Sequence, residues 1–183
     1  MKFAKTLATT AAAALIAGTA WAANPMVGGA DMFENKNIVE NAVNSADHTT
    51  LVAAVQAAGL VETLSSEGPF TVFAPTNAAF EALPAGTVET LLKPENKDQL
   101  TKILTCHVVS ANVMSAALSE MIISDNGSHE IKTVGGCVFE AKQMGTNIII
   151  EDENGGISTV TIADVKQSNG VIHVVDAVLL PKM

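Results

Sequence analysis

Apolar positions recur at helical spacing through the first half of the chain and alternate with polar ones through much of the rest. Ile38, Val39, Ala42 and Val43 share one helical face and predict a helix beginning near Asn37. Asp47 is placed to cap a second helix whose stripe is Leu51, Val52, Val55 and Ala58, and Gly59 ends it. Leu60 to Ser65 reads as a further helical turn before the break at Gly68-Pro69. Phe70 to Ala74 (FTVFA) is alternating, aromatic and β-branched, which predicts a strand closed by Pro75-Thr76. Thr76 then caps a short helix from Asn77 to Leu83 that halts at Pro84. Thr87 caps another through Leu92, and Pro94 suits the first position of a third, with Leu100, Ile103 and Leu104 on one face. Cys106 to Val109 reads as a strand and Ser110 to Leu118 as a small helix.

The C-terminal third changes character. Segments at Ile122, His129–Val134, Cys137–Lys142, Asn147–Glu151, Ser158–Asp164 and Val171–Leu180 are β-rich. Turn and hairpin signals separate them: Asn126-Gly127, Gly135-Gly136, Gly145, Asn154-Gly155-Gly156 and Asn169-Gly170. Helices first and strands afterwards predict an α+β domain, not an alternating parallel sheet, and no internal repeat is visible. Residues 23–36 mix Gly, Pro, Asn and charge without periodicity and read as a flexible lead-in, leaving residues 37–183 as a single folded unit.

The first 22 residues have a different pattern. Lys2 and Lys5 precede an uncharged, Ala-rich run from Leu7 to Thr19, and Ala20-Trp21-Ala22 supplies the small residues of a cleavage site. This is the layout of a secretory signal peptide, and the run is short of the roughly 20 apolar residues of a spanning helix. A periplasmic or extracellular destination follows. The sequence has no Arg-Arg pair for twin-arginine export and no Cys after the cut to take a lipid. Cleavage after Ala22 removes two of the ten lysines and none of the nineteen acids, taking the net charge from −9 to −11. With that charge and no arginine, the chain lacks the basic stripe a nucleic-acid binder needs. Anionic membranes are equally poor partners.

Candidate chemistry is sparse. Cys106 and Cys137 lie in one exported domain, where a structural disulfide closing a loop of about 30 residues is expected. The competing reading, a labile redox pair, lacks C-x-x-C spacing. Cys106-His107 has the residue types of a cysteine nucleophile, but neighbours on a strand face opposite ways. The same parity separates His173 from Asp176. Histidines at 48, 107, 129 and 173 lack the spacing of a zinc site, and none of the Gly-rich turns matches a phosphate loop. Glu151-Asp152-Glu153-Asn154-Gly155-Gly156 resembles part of a calcium loop without its closing glutamate, so it reads first as a solvated turn with a capacity for weak calcium binding. His107 and His173, set in apolar β segments, read as buried structural histidines. No catalytic set, metal site or cofactor emerges.

Three segments together resemble the fasciclin domain family. Phe70 to Phe80 (FTVFAPTNAAF) is similar to its first signature, Leu104 to Val109 (LTCHVV) to its central Tyr-His segment, and Gly170 to Pro181 (GVIHVVDAVLLP) to its closing signature. The order agrees, and the resemblance runs from about Asn37 to Pro181. It implies a β-wedge packed against a helical cluster. It also implies scaffold roles for Phe70, Thr71, Phe73, Ala74, Pro75, Thr76, Asn77 and Phe80 at a strand-to-helix corner, for His107, and for Gly170, Val171, Ile172, His173 and Asp176 in the final strand. The function implied is binding or adhesion through an unidentified protein or glycan of the cell surface or matrix, without catalysis. Cys106 stands where the family's usual tyrosine precedes the central histidine, so receptor contact through that Tyr-His pair does not carry over. Two alternatives remain open: a periplasmic thiol-redox or hydrolytic enzyme using Cys106 or His107, and a calcium-dependent binding module.

Overall fold

Caps fix where the helices begin. In the computed structural model, which describes residues 24–182, Asn37 Oδ1 accepts the Glu40 N–H at 2.9 Å while Glu40 Oε2 accepts the Asn37 N–H at 2.9 Å. This capping box starts α1 (Ile38–Ala42). The expected signal peptide lies outside the described residues. A 3₁₀ turn at Ala46–His48 leads into α2 (Thr49–Ala58), so Asp47 sits inside the turn and does not cap the helix. Gly59 ends α2 in the left-handed region, and α3 (Val61–Ser65) follows. Thr76 Oγ1 accepts the Ala79 N–H to open α4 (Asn77–Glu81), and α5 (Thr87–Leu91) comes next. A 3₁₀ turn at Pro94–Asn96 introduces α6 (Lys97–Cys106), and α7 (Ser115–Ser124) is the last helix among the described residues.

Three local expectations are corrected. Cys106 ends α6 and does not open a strand, because the apolar face of Leu100, Ile103 and Leu104 continues through it and His107 caps the turn. The helix expected from Ser110 to Leu118 forms later, at Ser115–Ser124, and takes in Ile122, which had read as β-rich. Leu118 and Ile122, four apart, are the buried residues of its inner face. The segment read as a flexible lead-in carries a hairpin, β1 (Met26–Val27) and β2 (Ala30–Asp31), around the positive-φ pair Gly28-Gly29. Its Val27 and the following Met32 are buried in the core, so the packed structure begins well before Asn37.

Seven strands among the described residues form one mixed sheet: β3 (Phe70–Pro75), β4 (Val108–Val109), β5 (Ser128–Lys132), β6 (Val138–Met144), β7 (Asn147–Glu151), β8 (Ile157–Gln167) and β9 (Gly170–Val175). The order is β4-β3-β9-β8-β7-β6-β5, with β3 and β9 parallel and the other pairs antiparallel. The sheet curls until its ends nearly meet: the Val134 N–H reaches the Val108 carbonyl at 2.7 Å, and Cys106 and Cys137 are joined by a disulfide. One core lies between the helices and β3, β8 and β9. A second, with Phe139, Ile150, Leu118 and the disulfide, fills the curl beneath α7. The α+β class expected from the sequence is the one observed.

Close approach dictates the glycines at 170 and 135. A Cβ on Gly170 would lie 2.0 Å from the Phe70 carbonyl oxygen, its partner across the parallel pair, and one on Gly135 would lie 2.6 Å from Cys106 Sγ. Gly170→Ala must therefore push β3 from β9, and a loss of about 2–3 kcal/mol in urea unfolding is expected. A wild-type midpoint would contradict the contact. Cys106→Ser and Cys137→Ser should each cost about 3–4 kcal/mol, with the double variant little worse than either. Additive losses in the same unfolding measurement would show that the two sulfurs do not act as one bridge.

Candidate functional site

The residues with chemical potential gather around three buried histidines, and two of these are wholly engaged with backbone. His107 donates from Nδ1 to the Ile103 carbonyl at 2.8 Å and accepts the Leu179 N–H on Nε2 at 3.0 Å. The ring thus ties the end of α6 to the C-terminal segment. Burial pushes its pKa down to about 4, opposed by the Ile103 carbonyl and the charge of Asp152. Cys106 beside it is bonded to Cys137, so the neighbouring sulfur is not a thiol. His173 donates from Nε2 to the Val113 carbonyl at 2.8 Å, accepts the Asp164 N–H on Nδ1 at 3.2 Å, and stacks on Phe73 with 5.8 Å between ring centroids. Asp176 accepts the Thr159 N–H at 2.6 Å and takes no part in the His173 bonds. His48 pairs its Nδ1 with Ser45 Oγ at 2.8 Å. Burial lowers the pKa values of His48 and His173 as well.

The acidic turn is similarly occupied. Asp152 Oδ1 accepts the N–H groups of Asn154 and Gly156 at 2.9 and 2.8 Å, and Oδ2 accepts that of Leu180 at 2.9 Å. Glu153 accepts from Val138 N–H at 3.0 Å and Lys182 N–H at 2.7 Å, which hold its pKa below the ordinary carboxylate value. Glu151 pairs with Lys142 at 2.5 Å, and Glu140 shares the same ammonium at 2.8 Å. The three carboxylates suggested for calcium thus turn toward protein donors, and the residues described contain no group of three acidic, His or Cys side chains able to hold a metal ion.

The strand-to-helix corner is built from the residues that the sequence singles out. Thr71, fully buried, donates from Oγ1 to the Ala111 carbonyl at 2.6 Å and accepts the Val113 N–H at 2.9 Å. Asn77 Oδ1 accepts the Thr50 N–H at 3.0 Å, and its Nδ2 donates to the Ala46 carbonyl at 2.8 Å, locking α4 to the start of α2. Phe73, Ala74 and Phe80 are core residues, Phe70 is half-buried against them, and Pro75 ends the pairing with β9 opposite Val175. Gly170, Val171, Ile172 and His173 are buried along β9.

Sequence reasoning missed several residues of this framework. Asn41, fully buried, donates to the Phe33 carbonyl at 2.8 Å, accepts the Phe33 N–H and bonds Gln167 Oε1. Asp164 sits at φ 60 in a bulged stretch of β8 and accepts both the N–H and the hydroxyl of Ser115, at 2.7 and 2.5 Å, anchoring the start of α7. A charged residue set among Ile162, Ala163 and Val165 was the available signal for Asp164. For Asn41 there was none, since its side-chain partner Gln167 lies 126 residues away.

The lowered histidines give stability a pH dependence. The unfolded chain binds a proton on residue 107 near pH 6.5, whereas the folded protein refuses it until about pH 4. Stability is therefore complete above pH 6.5 and falls as pH drops toward 4, with about 3 kcal/mol from His107 and further loss in the same direction from His48 and His173. Urea midpoints measured from pH 7 to 5 should decline steadily; a level profile would contradict the neutral, buried rings.

Known proteins are similar to this chain. A model of the Fasciclin domain matches residues 46–181. Protein sll1483 of Synechocystis is 51% identical over 146 residues, covering 80% of this chain and 74% of that protein. Transforming growth factor-beta-induced protein ig-h3 of Sus scrofa is 37% identical over 131 residues, 72% of this chain and 17% of the larger protein. Among solved structures, a FAS1 domain pair from the insect cell adhesion molecule Fasciclin I matches with a TM-score of 0.54 over 69% of this chain and 42% of that one, at 22% identity, a likeness of fold. With the family model matching residues 46–181 and a relative 51% identical over 80% of its length, the chain belongs to the fasciclin domain family.

Proposed function

We propose that this protein is an exported fasciclin-domain module that works by binding a protein or glycan of the cell surface or matrix, and not by catalysis. The observation that carries this reading is the engagement of its reactive groups in the scaffold. Both cysteines are in the disulfide, and both ring nitrogens of His107 and His173 are bonded to backbone. Those are the groups a thiol-redox or hydrolytic enzyme would have to use. The structural relative described as a cell adhesion molecule supports the same direction. Export is read from the N-terminal pattern of residues 1–22, and no helix among the described residues is long and apolar enough to cross a membrane.

Charge suggests the partner's character. Glu130, Glu140 and Glu151 align across β5, β6 and β7 at matched register, with Lys142 between the last two. On a chain of net charge −9 before cleavage, such a face favours cationic partners and makes binding sensitive to salt. The oxidised mature protein, immobilised and exposed to envelope and matrix fractions, is expected to retain a partner at low salt and to release part of it at moderate salt. Retention of nothing at either salt would overturn the binding role.

A further inference from the structure

Where β3 and β9 begin, parts of the chain distant in sequence meet around an open polar cleft of about 570 Å³. The loop into β3, the turn from β8 into β9, Asn37 and Asn112 line it. Its wall is pinned from behind. Asn169 Oδ1 accepts the Ile38 N–H at 3.0 Å, and its Nδ2 donates to the carbonyls of Leu64 and Ser66 at 2.8 and 2.9 Å. The Asn169 carbonyl accepts the Phe70 N–H at 3.0 Å, and the Ser168 N–H reaches the Lys36 carbonyl at 2.9 Å. A Cβ on Gly68 would lie 2.0 Å from that Asn169 carbonyl, so the loop and the turn are in direct contact. The Gln167 amide is likewise engaged, with Asn41 and the Val165 carbonyl. Other groups of the lining are left over. The side chains of Ser65, Glu67, Asn112 and Ser168 are exposed and make no hydrogen bond to other described residues, and Asn37 keeps Nδ2 unbonded after its Oδ1 has capped α1. These are hydroxyls, amides and one carboxylate; no lysine is among the described lining residues.

We propose that this cleft is a binding site for a neutral glycan, a short run of uncharged sugar rings. The inference deepens the binding role above and rests on it for the existence of a partner. Sugar hydroxyls both donate and accept, as do the serine hydroxyls and asparagine amides of the lining. Neighbouring hydroxyls of one ring can donate to the two oxygens of Glu67, and bonds to an ionised acceptor are the stronger kind. The exposed ring of Pro69 offers an apolar contact to the C–H face of a sugar. Size agrees, since small-ligand clefts run from roughly 300 to 1,000 Å³. The wall is held by Asn169 and by the Gly68 contact within the protein itself, so little ordering is lost on binding. A sulfated or uronate glycan is disfavoured, because it would bring negative charge to Glu67 with no lysine to meet it, on a chain of net charge −9. An extended peptide is also disfavoured. Peptide recognition uses a sheet edge or apolar side-chain pockets, whereas β3 and β9 are paired on both sides and this lining is polar.

The test is a set of amide NMR titrations of the oxidised chain with maltotriose, cellotriose and triacetylchitotriose, and separately with a heparin tetrasaccharide. At least one neutral sugar is expected to shift the amides of Glu67, Asn112 and Ser168 saturably, while the heparin fragment leaves them unmoved. Asn112→Ala and Glu67→Ala should each weaken that sugar about ten-fold. Neither side chain is bonded within the described protein, so both variants should keep the wild-type melting temperature. No saturable shift at the cleft with any of the neutral sugars, an equal response to heparin, or binding unchanged in both variants would each overturn the proposal. Passing the double variant through the envelope and matrix capture described above separates this failure from that of the binding role. If wild type and double variant retain the same partner, the role stands and the cleft proposal falls; if neither retains anything, the role itself falls. A partner that the double variant loses and that protease, not glycosidase, destroys would place a peptide in the cleft and likewise overturn the proposal.

Discussion

The parallel pairing of β3 with β9 is the constraint on which the rest of the molecule hangs. It joins Phe70 to Gly170, a hundred residues apart, and continues in register to Pro75 and Val175. Two of the three sequence signatures are thus one structural object. Its tightest point is the contact of Gly170 with the Phe70 carbonyl, where only hydrogen fits on Cα. From there the chain order follows. β4 adds to one side, β8 to the other, and the helical layer closes over the shared face of Val72, Ala74, Ile172 and Val174. Because the pair forms only after the intervening chain has been brought round, it makes the fold depend on contacts between distant parts of the chain as well as on local propensity.

Buried polar groups orient the layers that this pair brings together. His107, His173, Asn41 and Thr71, with the half-buried Asp164, each bond backbone or side chains from a distant part of the sequence. Apolar packing is non-directional and leaves helix positions on the sheet loosely specified, whereas a satisfied buried hydrogen bond fixes one arrangement. Neutral imidazole suits the task, since it donates from one nitrogen and accepts on the other. The burial that makes these histidines poor acids and bases at neutral pH is the condition for using them as connectors.

How far the sequence reveals this depends on the range of the interaction. Thr76 and Gly59 end or begin helices through contacts within a few residues, and both were legible. The β-strands from His129 onward were legible from alternation and Gly-containing turns, though the bulge at Asp164 was not. Local pattern failed where tertiary bonds override it. Cys106 to Val109 is β-branched and apolar, yet the His107 ring closes the end of α6 through Ile103, and the strand shrinks to two residues. The hairpin at Met26–Asp31 has no periodicity to read, because only Val27 and Met32 face inward. At the candidate site, His107 and His173 were visible from their apolar surroundings. His48 was not, since Asp47 and two threonines beside it read as an exposed helix start.

The disulfide takes its meaning from where the sheet ends. β4 and β5 are the two edges of the curl, and an open edge is a template for pairing with another chain. Cys106–Cys137, the Val134 bond to Val108, the Gly135 N–H to the Thr105 carbonyl and Lys102 Nζ to the Gly135 carbonyl cluster at that seam. Gly135 can approach because it lacks a Cβ that would collide with the Cys106 sulfur. The covalent link therefore clamps the place where the curled sheet would otherwise separate.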